Sequence, residues 1–502
     1  MSAIEQLREK LNEVSRLGQA AAVLDWDQQC YMPPGGGDAR AEQSAVIQKV
    51  IHEKFTSDEV GELLETSASE LNGASLDSDD AALIRITKMD FDRETKVPGA
   101  LVAEQAKVTS LAHEVWVKAR KEKDFKTFQP WLERIVDNCR QIAEHRGYKD
   151  HIYDALLEEF EAGTKTSEVE RIFTDLRPSL VDLVQQIKDS PAKVDNSIMS
   201  REYPVEKQLE ICNDLVKRIG FDFTNGRQDQ AAHPFCTNFS NNDVRITTRF
   251  DAHWLPGSVF ASMHEAGHAM YEQGSPDKFE GTTLSGGTSL GFHESQSRMW
   301  ENQIGRSRAF IDYYFPVLKE KFPDSLGSVT AEQFYLAANK VAPSMIRVEA
   351  DEVTYGLHIM LRFELEKLMI EGKVRFSDLP ELWNTKMQEY LGITPKDDAE
   401  GVLQDVHWSS GILGYFPTYQ LGNLISSQLW EKMQAAIPDI YSQIERGDFQ
   451  AILEWLRSNV HQYGRKYLPG ELIMRITGKA VDSGPYMGYL RTKYKDIYQL
   501  GD

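Results

Sequence analysis

In the stretch FASMHEAGHAMYEQG, two histidines stand four residues apart and a glutamate follows the first, giving His264, Glu265 and His268. On a helix the two imidazoles lie one turn apart and could bind one ion at about 2.0–2.1 Å, the distance that Zn²⁺ prefers. Glu265 lies further round the same side, where its carboxylate suits a general base acting on a metal-activated water. The alternative is a solvated helix face without a metal, but the helical context and the small residues Ala266 and Gly267 favour a metal site.

A catalytic zinc site needs a third protein ligand. Glu272 lies about 12 Å from His264 along a helix that rises about 1.5 Å per residue, too far to share an ion. Glu280 falls in a breaker-rich loop where nothing fixes its carboxylate, whereas Glu294 opens the next predicted helix. His293 points about 100° away from Glu294 on that helix, so we expect it either to support a ligand or to be structural, rather than to bind the metal. Two histidines and Glu294 then leave a fourth position for water, as in catalytic zinc sites.

The elements that must position these residues follow from hydrophobic periodicity. Apolar spacing predicts a helix over 259–273, with Pro256 in its start signal and Gly274 as its stop. The stretch NNDVRITTRF at 241–250 alternates and predicts a strand, one of the few in the chain. Periodicity also predicts helices at 4–17 ending at Gly18, at 351–372 with burial on several sides, and at 449–460 after Asp448.

Helical patterns dominate the rest of the chain, and the breaker-rich segments are too short for a confident domain linker. We therefore expect a mainly α-helical protein with a small β-sheet. Residues 1–502 are expected to form a single unit, with two lobes around a central cleft.

Charge and cysteine content exclude several classes of protein. The 502 residues include 56 Lys+Arg and 77 Asp+Glu, a formal net charge of −21, so we expect neither nucleic acid nor an anionic membrane as a partner. The start MSAIEQLREKLNEV lacks the apolar core of a secretory signal, and no stretch reaches the roughly 18 apolar residues of a membrane span. The four cysteines are widely separated and include no C-x-x-C pair, which is typical of reduced thiols in a cytoplasmic protein.

Five motifs follow one another along the chain. They are D-x-R-x-T at 243–247, H-E-x-x-H at 264–268, H-E-[SG]-Q at 293–296, I-R-x-x-A-D at 346–351 and G-x-x-Q-D-x-H-W at 401–408. In this ordered set the chain resembles the carboxypeptidase Taq family of zinc metallocarboxypeptidases. The similarity extends through LDWDQQCYMPPGGGDARAEQ, GYFPTYQLGN and TGKAVDSGPYMGYLRTKY, and so covers essentially the whole chain. H-E-x-x-H alone is moderately specific, and the ordered set is very specific.

The resemblance implies a large two-lobed helical metallopeptidase with a deep cleft, similar to neurolysin and angiotensin-converting enzyme. It also implies a homodimer, Zn²⁺ as cofactor with Co²⁺ as a substitute, and peptide substrates with a free C-terminus. We expect broad specificity, because the predicted strand at 241–250 can pair with the main chain of an extended peptide whatever its side chains.

The resemblance also points to residues that bind the substrate. A tetrahedral oxyanion needs a donor besides the metal, for which His407, Tyr415 and Tyr419 are the candidates; for each tyrosine, a packed ring with a satisfied hydroxyl is the alternative. A terminal carboxylate is best bound by a guanidinium making two hydrogen bonds, for which the motifs offer Arg245 and Arg347. Without the family, either arginine would be interpreted as a structural ion-pair partner.

Two other functions stay open at this point. H-E-x-x-H does not distinguish a carboxypeptidase from an oligopeptidase that cleaves internal bonds. A catalytically idle relative acting as a binding scaffold is the second alternative, although the intact set His264, Glu265, His268 and Glu294 argues against it.

Overall fold

The computed structural model describes residues 1–71, 75 and 77–501. Its described part is mainly helical with one three-stranded sheet, which confirms the predicted fold class. The helices are α1 (Ala3–Cys30), α2 (Gly37–Phe55), α3 (Asp58–Glu70), α4 (Asp79–Lys96), α5 (Gly99–Glu122), α6 (Phe125–Arg146), α7 (Asp154–Leu157), α8 (Thr166–Asp189), α9 (Val205–Ile219), α10 (Pro256–Gln273), α11 (Leu290–Arg298), α12 (Arg308–Lys321), α13 (Pro323–Leu326), α14 (Ala331–Ala338), α15 (Tyr355–Glu371), α16 (Leu379–Leu391), α17 (Phe416–Ala436), α18 (Ile440–Glu445), α19 (Gln450–Asn459), α20 (Pro469–Thr477) and α21 (Gly484–Tyr498). The strands are β1 (Gly226–Gln230), β2 (Phe235–Ser240) and β3 (Asp243–Thr248).

The chain forms two compact units, and each is built from three separate segments. The first unit contains Met1–Thr95, Asp195–Ala338 and Leu429–Gly478, and the second contains Lys96–Val194, Asn339–Gln428 and Lys479–Asp502. The sheet, α10 and α11 therefore belong to the first unit, and α15 belongs to the second. Among the helices of the described residues, none combines the length and apolar character needed to span a bilayer.

The N-terminal helix is longer than its sequence predicts. Leu7 and Leu11 are buried in a core with residues of α3 and α4, which confirms the predicted apolar face. The predicted stop at Gly18 is wrong, because α1 continues to Cys30. A glycine inside a helix costs only about 1 kcal/mol relative to alanine, and the three alanines at 20–22 are strong helix formers that follow it.

The sheet has the order β1-β3-β2, with β1 parallel and β2 antiparallel to β3. Strand β3 confirms the core of the strand predicted at 241–250, while β1 and β2 were not predicted. Because β3 is hydrogen-bonded on both edges, it has no free edge for a peptide, and the predicted pairing of substrate with this strand is wrong. Main-chain pairing would have to use an edge strand, β1 or β2.

Helix α10 confirms the helix predicted at 259–273, although it begins at Pro256 rather than at residue 259. The contact of α10 with the sheet includes polar side chains. The Gln228 amide of β1 donates to Ser262 Oγ at 2.6 Å and to Thr248 Oγ1 at 2.8 Å. Thr248 Oγ1 and Ser262 Oγ are themselves 2.9 Å apart. These contacts, in which Thr248 and Ser262 are fully buried, fix the turn of α10 that comes directly before His264.

Gly267 lets α10 approach α11 closely. A Cβ at this position would stand 2.7 Å from both the Gln296 carbonyl oxygen and the Ser297 Cα, which are backbone atoms of α11. Only a residue without a side chain permits this distance, as the sequence suggested for the small residues between the histidines. The contact brings the Glu294 turn of α11 next to the histidine face of α10.

In the second unit, α15 confirms the predicted helix that is buried on several sides, since none of its residues is exposed. It begins at Tyr355 rather than at 351 and ends before Gly372, whose φ is +70°. In the first unit α19 confirms the helix predicted after Asp448, whose carboxylate accepts the Gln450 N–H at 3.2 Å.

We predict that Gly267→Ala destabilises the protein by about 1–3 kcal/mol, the usual cost of overpacking, because backbone atoms of α11 would have to move. Gly18→Ala in α1 is the matched control: no heavy atom lies within 4 Å of its added Cβ, so helix propensity should stabilise that variant by about 0.5–1 kcal/mol. Denaturant titration followed by circular dichroism measures both. Equal stability of the Gly267 variant and the wild type would contradict the close packing.

Candidate active site

His264, His268 and Glu294 come together in the first unit. The Nε2 atom of each histidine lies 3.5 Å from the same Glu294 Oε2, and the three ligand atoms all lie within 4.8 Å of one another. Ligands held about 2.0–2.1 Å from a tetrahedral zinc ion are about 3.3–3.4 Å apart, so the spacing fits such an ion. Within the described residues, this is the one group of three or more His, Cys, Asp or Glu side chains with metal-binding geometry.

Glu294 is held in place as an anion. The Arg298 Nε donates to its Oε1 at 2.6 Å, and the Ser297 hydroxyl donates to its Oε2 at 3.0 Å. Burial alone would raise the pKa of Glu294, but Arg298 and the two histidines outweigh it and hold that pKa well below its ordinary value. The carboxylate is therefore available as a charged ligand.

The outer nitrogens of the two histidines are also hydrogen-bonded. His264 Nδ1 lies 2.9 Å from Glu301 Oε2, and His268 Nδ1 lies 2.8 Å from His293 Nδ1. Burial lowers the pKa of His268 to about 4, which favours the neutral imidazole that metals bind. A histidine ligand usually donates its second N–H to an acceptor in this way.

Glu301 was not identified from the sequence. It lies on a π-helical segment, Met299–Gly305, which continues α11, and segments of this kind often occur at functional sites. Its second oxygen, Oε1, accepts from Arg306 at 3.2 Å. Its spacing of seven residues from Glu294, two helical turns, is the signal that could have identified it.

Glu265 is buried, with 6% of its surface exposed. Burial raises its pKa to about 7; the positive charge of His264 opposes that shift, and the nearby Glu294 and Glu301 carboxylates add to it. A carboxyl group with a pKa near neutrality can both accept and return a proton. This suits the predicted general base, which remains a prediction.

The expectation that nothing fixes the Glu280 carboxylate is wrong. Its carboxylate is firmly held: Oε1 accepts from Arg16 and from the Gln19 amide at 2.9 Å each, and Oε2 accepts the Asn241 N–H at 3.2 Å. Glu280 is therefore bound to α1 and to the turn after β2, and it is not part of the metal-binding group.

Arg245 lies in the first unit on β3. Its Nε and Nη2 donate to the two oxygens of Asp243 at 2.8 and 2.9 Å. The guanidinium lies between the rings of Trp26 and Phe239, 4.3 and 4.6 Å from their centroids. Within the described residues no hydrogen bond to Nη1 is seen, so both of its N–H groups remain for a ligand.

Arg347 lies in the second unit in a buried cluster of charges. Its Nε and Nη2 donate to Asp405 Oδ1 at 2.9 and 2.8 Å, and Arg362 donates to Asp405 Oδ2 at 2.6 Å. Arg347 Nη1 donates to the Tyr355 hydroxyl at 3.1 Å. Each candidate arginine is thus an ion-pair partner of an aspartate, but this cluster sets two cations against one anion and stays net positive.

His407, Tyr415 and Tyr419 meet in the second unit. His407 Nε2 lies 3.2 Å from the Tyr419 hydroxyl, and the two tyrosine rings are 5.2 Å apart. Burial lowers the pKa of His407 to about 4, so its ring is neutral. Glu366, which was not identified from the sequence, anchors the surrounding loop by accepting from Trp408 Nε1 at 2.9 Å and from the Gly414 N–H at 3.0 Å.

The chain is similar to known proteins along nearly its whole length. The family model described as carboxypeptidase Taq (M32) metallopeptidase matches residues 6–494. The chain belongs to this family. It is 39% identical over 511 residues to thermostable carboxypeptidase 1 of Thermus thermophilus, covering 99% of both chains. It is 38% identical over 490 residues to carboxypeptidase 1 of Bacillus subtilis, covering 98% of this chain and 97% of that one.

A solved structure of the same family agrees with this fold. The M32 carboxypeptidase from Deinococcus radiodurans R1 matches with a TM-score of 0.96 at 38% identity, covering 99% of this chain and 100% of the other. Membership establishes a metallocarboxypeptidase, and it implies a divalent metal and peptide substrates. The implied similarity to neurolysin and angiotensin-converting enzyme stays a prediction.

We predict that the metal-free protein binds one equivalent of added Zn²⁺ per chain, and that His264→Ala and Glu294→Ala each abolish tight binding because two ligands do not hold a catalytic zinc ion. Titration against a chromophoric chelator measures the affinity. Glu280→Ala is the matched control, since it removes a carboxylate from the same unit and should bind zinc like the wild type. Undiminished binding by the Glu294 variant would refute the three-ligand site.

Proposed function

We propose that this protein is a zinc-dependent metallocarboxypeptidase that removes C-terminal residues from peptides with broad specificity. His264, His268 and Glu294 hold the metal and Glu265 is the general base. The observation that carries the proposal is the approach of the two histidine Nε2 atoms to one carboxylate oxygen of Glu294 at 3.5 Å each. That spacing suits one ion with room for a further ligand.

Zinc is the metal that the donor set favours, because catalytic zinc sites commonly combine histidines with one carboxylate, and we expect Co²⁺ to substitute. When bound, such an ion polarises the scissile carbonyl and lowers the pKa of water towards roughly 7. The neutral His268 and the ionised Glu294 are in the protonation states that metal binding requires.

Glu265 moves the proton in this proposal. Its carboxylate takes a proton from the attacking water and later gives it to the nitrogen of the leaving amine, so no covalent bond to the protein forms. Its place directly after His264 and its burial beside Glu294 and Glu301 support this role.

Arg245 and Arg347 are proposed to bind the terminal carboxylate. Arg245 is held by Asp243 and by two aromatic rings, so the guanidinium is already oriented and loses little freedom when a ligand binds. Arg347 belongs to a cluster with an excess of positive charge, which suits an anionic group. Both arginines occupy arginine positions of the family motifs.

We propose His407, Tyr415 and Tyr419 as the donors that stabilise the oxyanion. The tyrosine hydroxyls are the better donors, because a hydroxyl rotates to suit its acceptor, and a neutral His407 can orient the Tyr419 hydroxyl. The ring of Tyr415 also packs against Phe160 and Tyr419, which holds it in place.

Broad specificity is proposed to arise at an edge strand. Strand β2 lies beside Glu265, the proposed general base. Burial raises the pKa of the Cys236 thiol on β2, and the charges of Glu265 and Glu272 raise it further. A peptide paired with β2 would be bound through its main chain, whatever its side chains.

We also propose a homodimer and a cytoplasmic location, the latter supported by four cysteines that are all free thiols.

We predict that Glu265→Gln lowers kcat by about 10²–10⁴-fold, the usual contribution of a general acid–base group, while zinc affinity stays that of the wild type. Release of free amino acid from an unblocked peptide measures kcat. A catalytically idle scaffold would show no turnover in either protein. An oligopeptidase would cleave an internal bond of a peptide whose C-terminus is amidated, which the proposed carboxypeptidase leaves intact.

We predict that Arg245→Gln and Arg347→Gln raise KM or lower kcat/KM for peptides with a free carboxylate far more than for their C-terminal amides, because each variant loses a charged hydrogen bond. Arg249→Gln is the matched control, an exposed arginine just beyond the same strand, and it should behave like the wild type. Equal losses on both kinds of peptide would remove the carboxylate-binding role.

A further inference from the structure

His293 lies between a metal-ligand candidate and a buried carboxylate. Its Nδ1 is 2.8 Å from His268 Nδ1, and its Nε2 is 2.5 Å from Glu272 Oε1. The rings of His268 and His293 are 5.0 Å apart and tilted by 39°. We propose that His293 and Glu272 are positioning residues that fix the ring of His268, and the inference rests on the proposed function only in taking His268 as a zinc ligand.

The protons in this chain of hydrogen bonds can be assigned in one way. A ligand nitrogen must be free of its proton, so His268 carries its proton on Nδ1 when Nε2 binds the metal. His268 Nδ1 then donates, and His293 Nδ1 must accept. A neutral His293 that accepts on Nδ1 carries its own proton on Nε2 and donates it to Glu272. Glu272 therefore selects the tautomer of His293, and His293 selects that of His268.

Glu272 is fixed from two further elements. The Asn238 amide of β2 donates to Oε2 at 2.7 Å, and the Gly287 N–H donates to Oε1 at 3.2 Å. With the His293 contact, Glu272 accepts hydrogen bonds from a strand, a loop and α11. A carboxylate held from three sides cannot rotate away from His293, so the orientation is passed on to His268.

The glycine turn before α11 packs closely against His293 and Glu272. A Cβ on Gly287 would stand 2.6 Å from His293 Cδ2 and 2.7 Å from Tyr271 Cε1. Gly286 has a φ of +86°, a conformation that favours glycine, and its Cβ would lie 3.3 Å from Glu272 Oε2. From the sequence, Gly286 and Gly287 are only part of the breaker-rich loop that follows Glu280. Their close approach to His293 and Glu272 gives both glycines a structural reason.

The two proposed metal-binding histidines therefore differ in the residue that holds their Nδ1 atom. His264 contacts the carboxylate of Glu301 directly, whereas His268 reaches a carboxylate only through a second imidazole. His293 lies between the rings of His268 and Tyr271, and the Tyr271 and His293 centroids are 5.0 Å apart. This packing restricts the movement of His293 in a way that hydrogen bonds alone would not restrict a carboxylate. Removing His293 should therefore weaken metal binding without removing a ligand.

Zinc titration of the metal-free protein against a chromophoric chelator tests the inference. His293→Leu removes the acceptor and should weaken zinc affinity by about 10–100-fold, the usual effect of losing such a partner. His293→Gln should recover most of the affinity, because an amide can accept from His268 and donate to Glu272. The absorption spectrum of the Co²⁺-loaded protein should shift in His293→Leu and return towards that of the wild type in His293→Gln.

The matched control is His461→Leu. His461 is a buried histidine that also packs on Tyr271, with centroids 5.0 Å apart, but its hydrogen bond goes to Gln296. This variant should lose stability and keep wild-type zinc affinity. If His461→Leu and His293→Leu weaken zinc binding equally, the effect is general destabilisation and the inference is wrong.

If His293→Leu does not fold, two further variants test whether His293 and Glu272 position His268. Glu272→Gln and Gly287→Ala touch no zinc ligand, and each should still weaken zinc affinity by several-fold. Wild-type affinity in both would overturn the inference. Failure of the proposed function looks different: the wild type would then bind zinc no better than His268→Ala.

Discussion

At Gly267 the backbone of α10 lies against the backbone of α11, and the distance from Glu294 to the two histidines of α10 follows from this contact. His264 and His268 are one turn apart on α10 by helical geometry alone, but Glu294 belongs to a separate helix. A side chain at residue 267 would separate the two helices by about the width of a methyl group, and Zn²⁺ ligation tolerates deviations of only about 0.2 Å. The polar contacts that hold α10 on the sheet through Gln228 and Ser262 keep the other side of the helix in register.

Carboxylates outnumber arginines around the site. Glu265, Glu272 and Glu294 are each less than a tenth exposed, and burying several carboxylates together is unfavourable unless cations accompany them. Arg298 pairs with Glu294, and Arg306 pairs with Glu301. A bound divalent ion would add two positive charges where the ligands converge, so the protein without metal carries an excess of negative charge there.

The sequence was sufficient for features that depend on local spacing. The pairing of His264 with His268 and the end of α10 follow from helical periodicity and turn signals. The sequence failed where tertiary contacts decide. Strand β1, GRQDQ, has no apolar alternation to mark it, and the central place of β3 depends on its pairing with β1 on one edge and β2 on the other. Glu301 and Glu366 act through hydrogen bonds to residues that only the fold brings near.

The assembly of each unit from three separate stretches of chain determines when it can fold during synthesis. The first unit takes its last segment from Leu429–Gly478, and the second from Lys479–Asp502. His461, in that late segment of the first unit, is hydrogen-bonded to Gln296 of α11, two residues from Glu294. Chains are made from the N-terminus at about 5–20 residues per second, so His264, His268 and Glu294 are synthesised before the last segment that packs against α11. The surroundings of α11 are therefore completed only after residues 429–478 have been made.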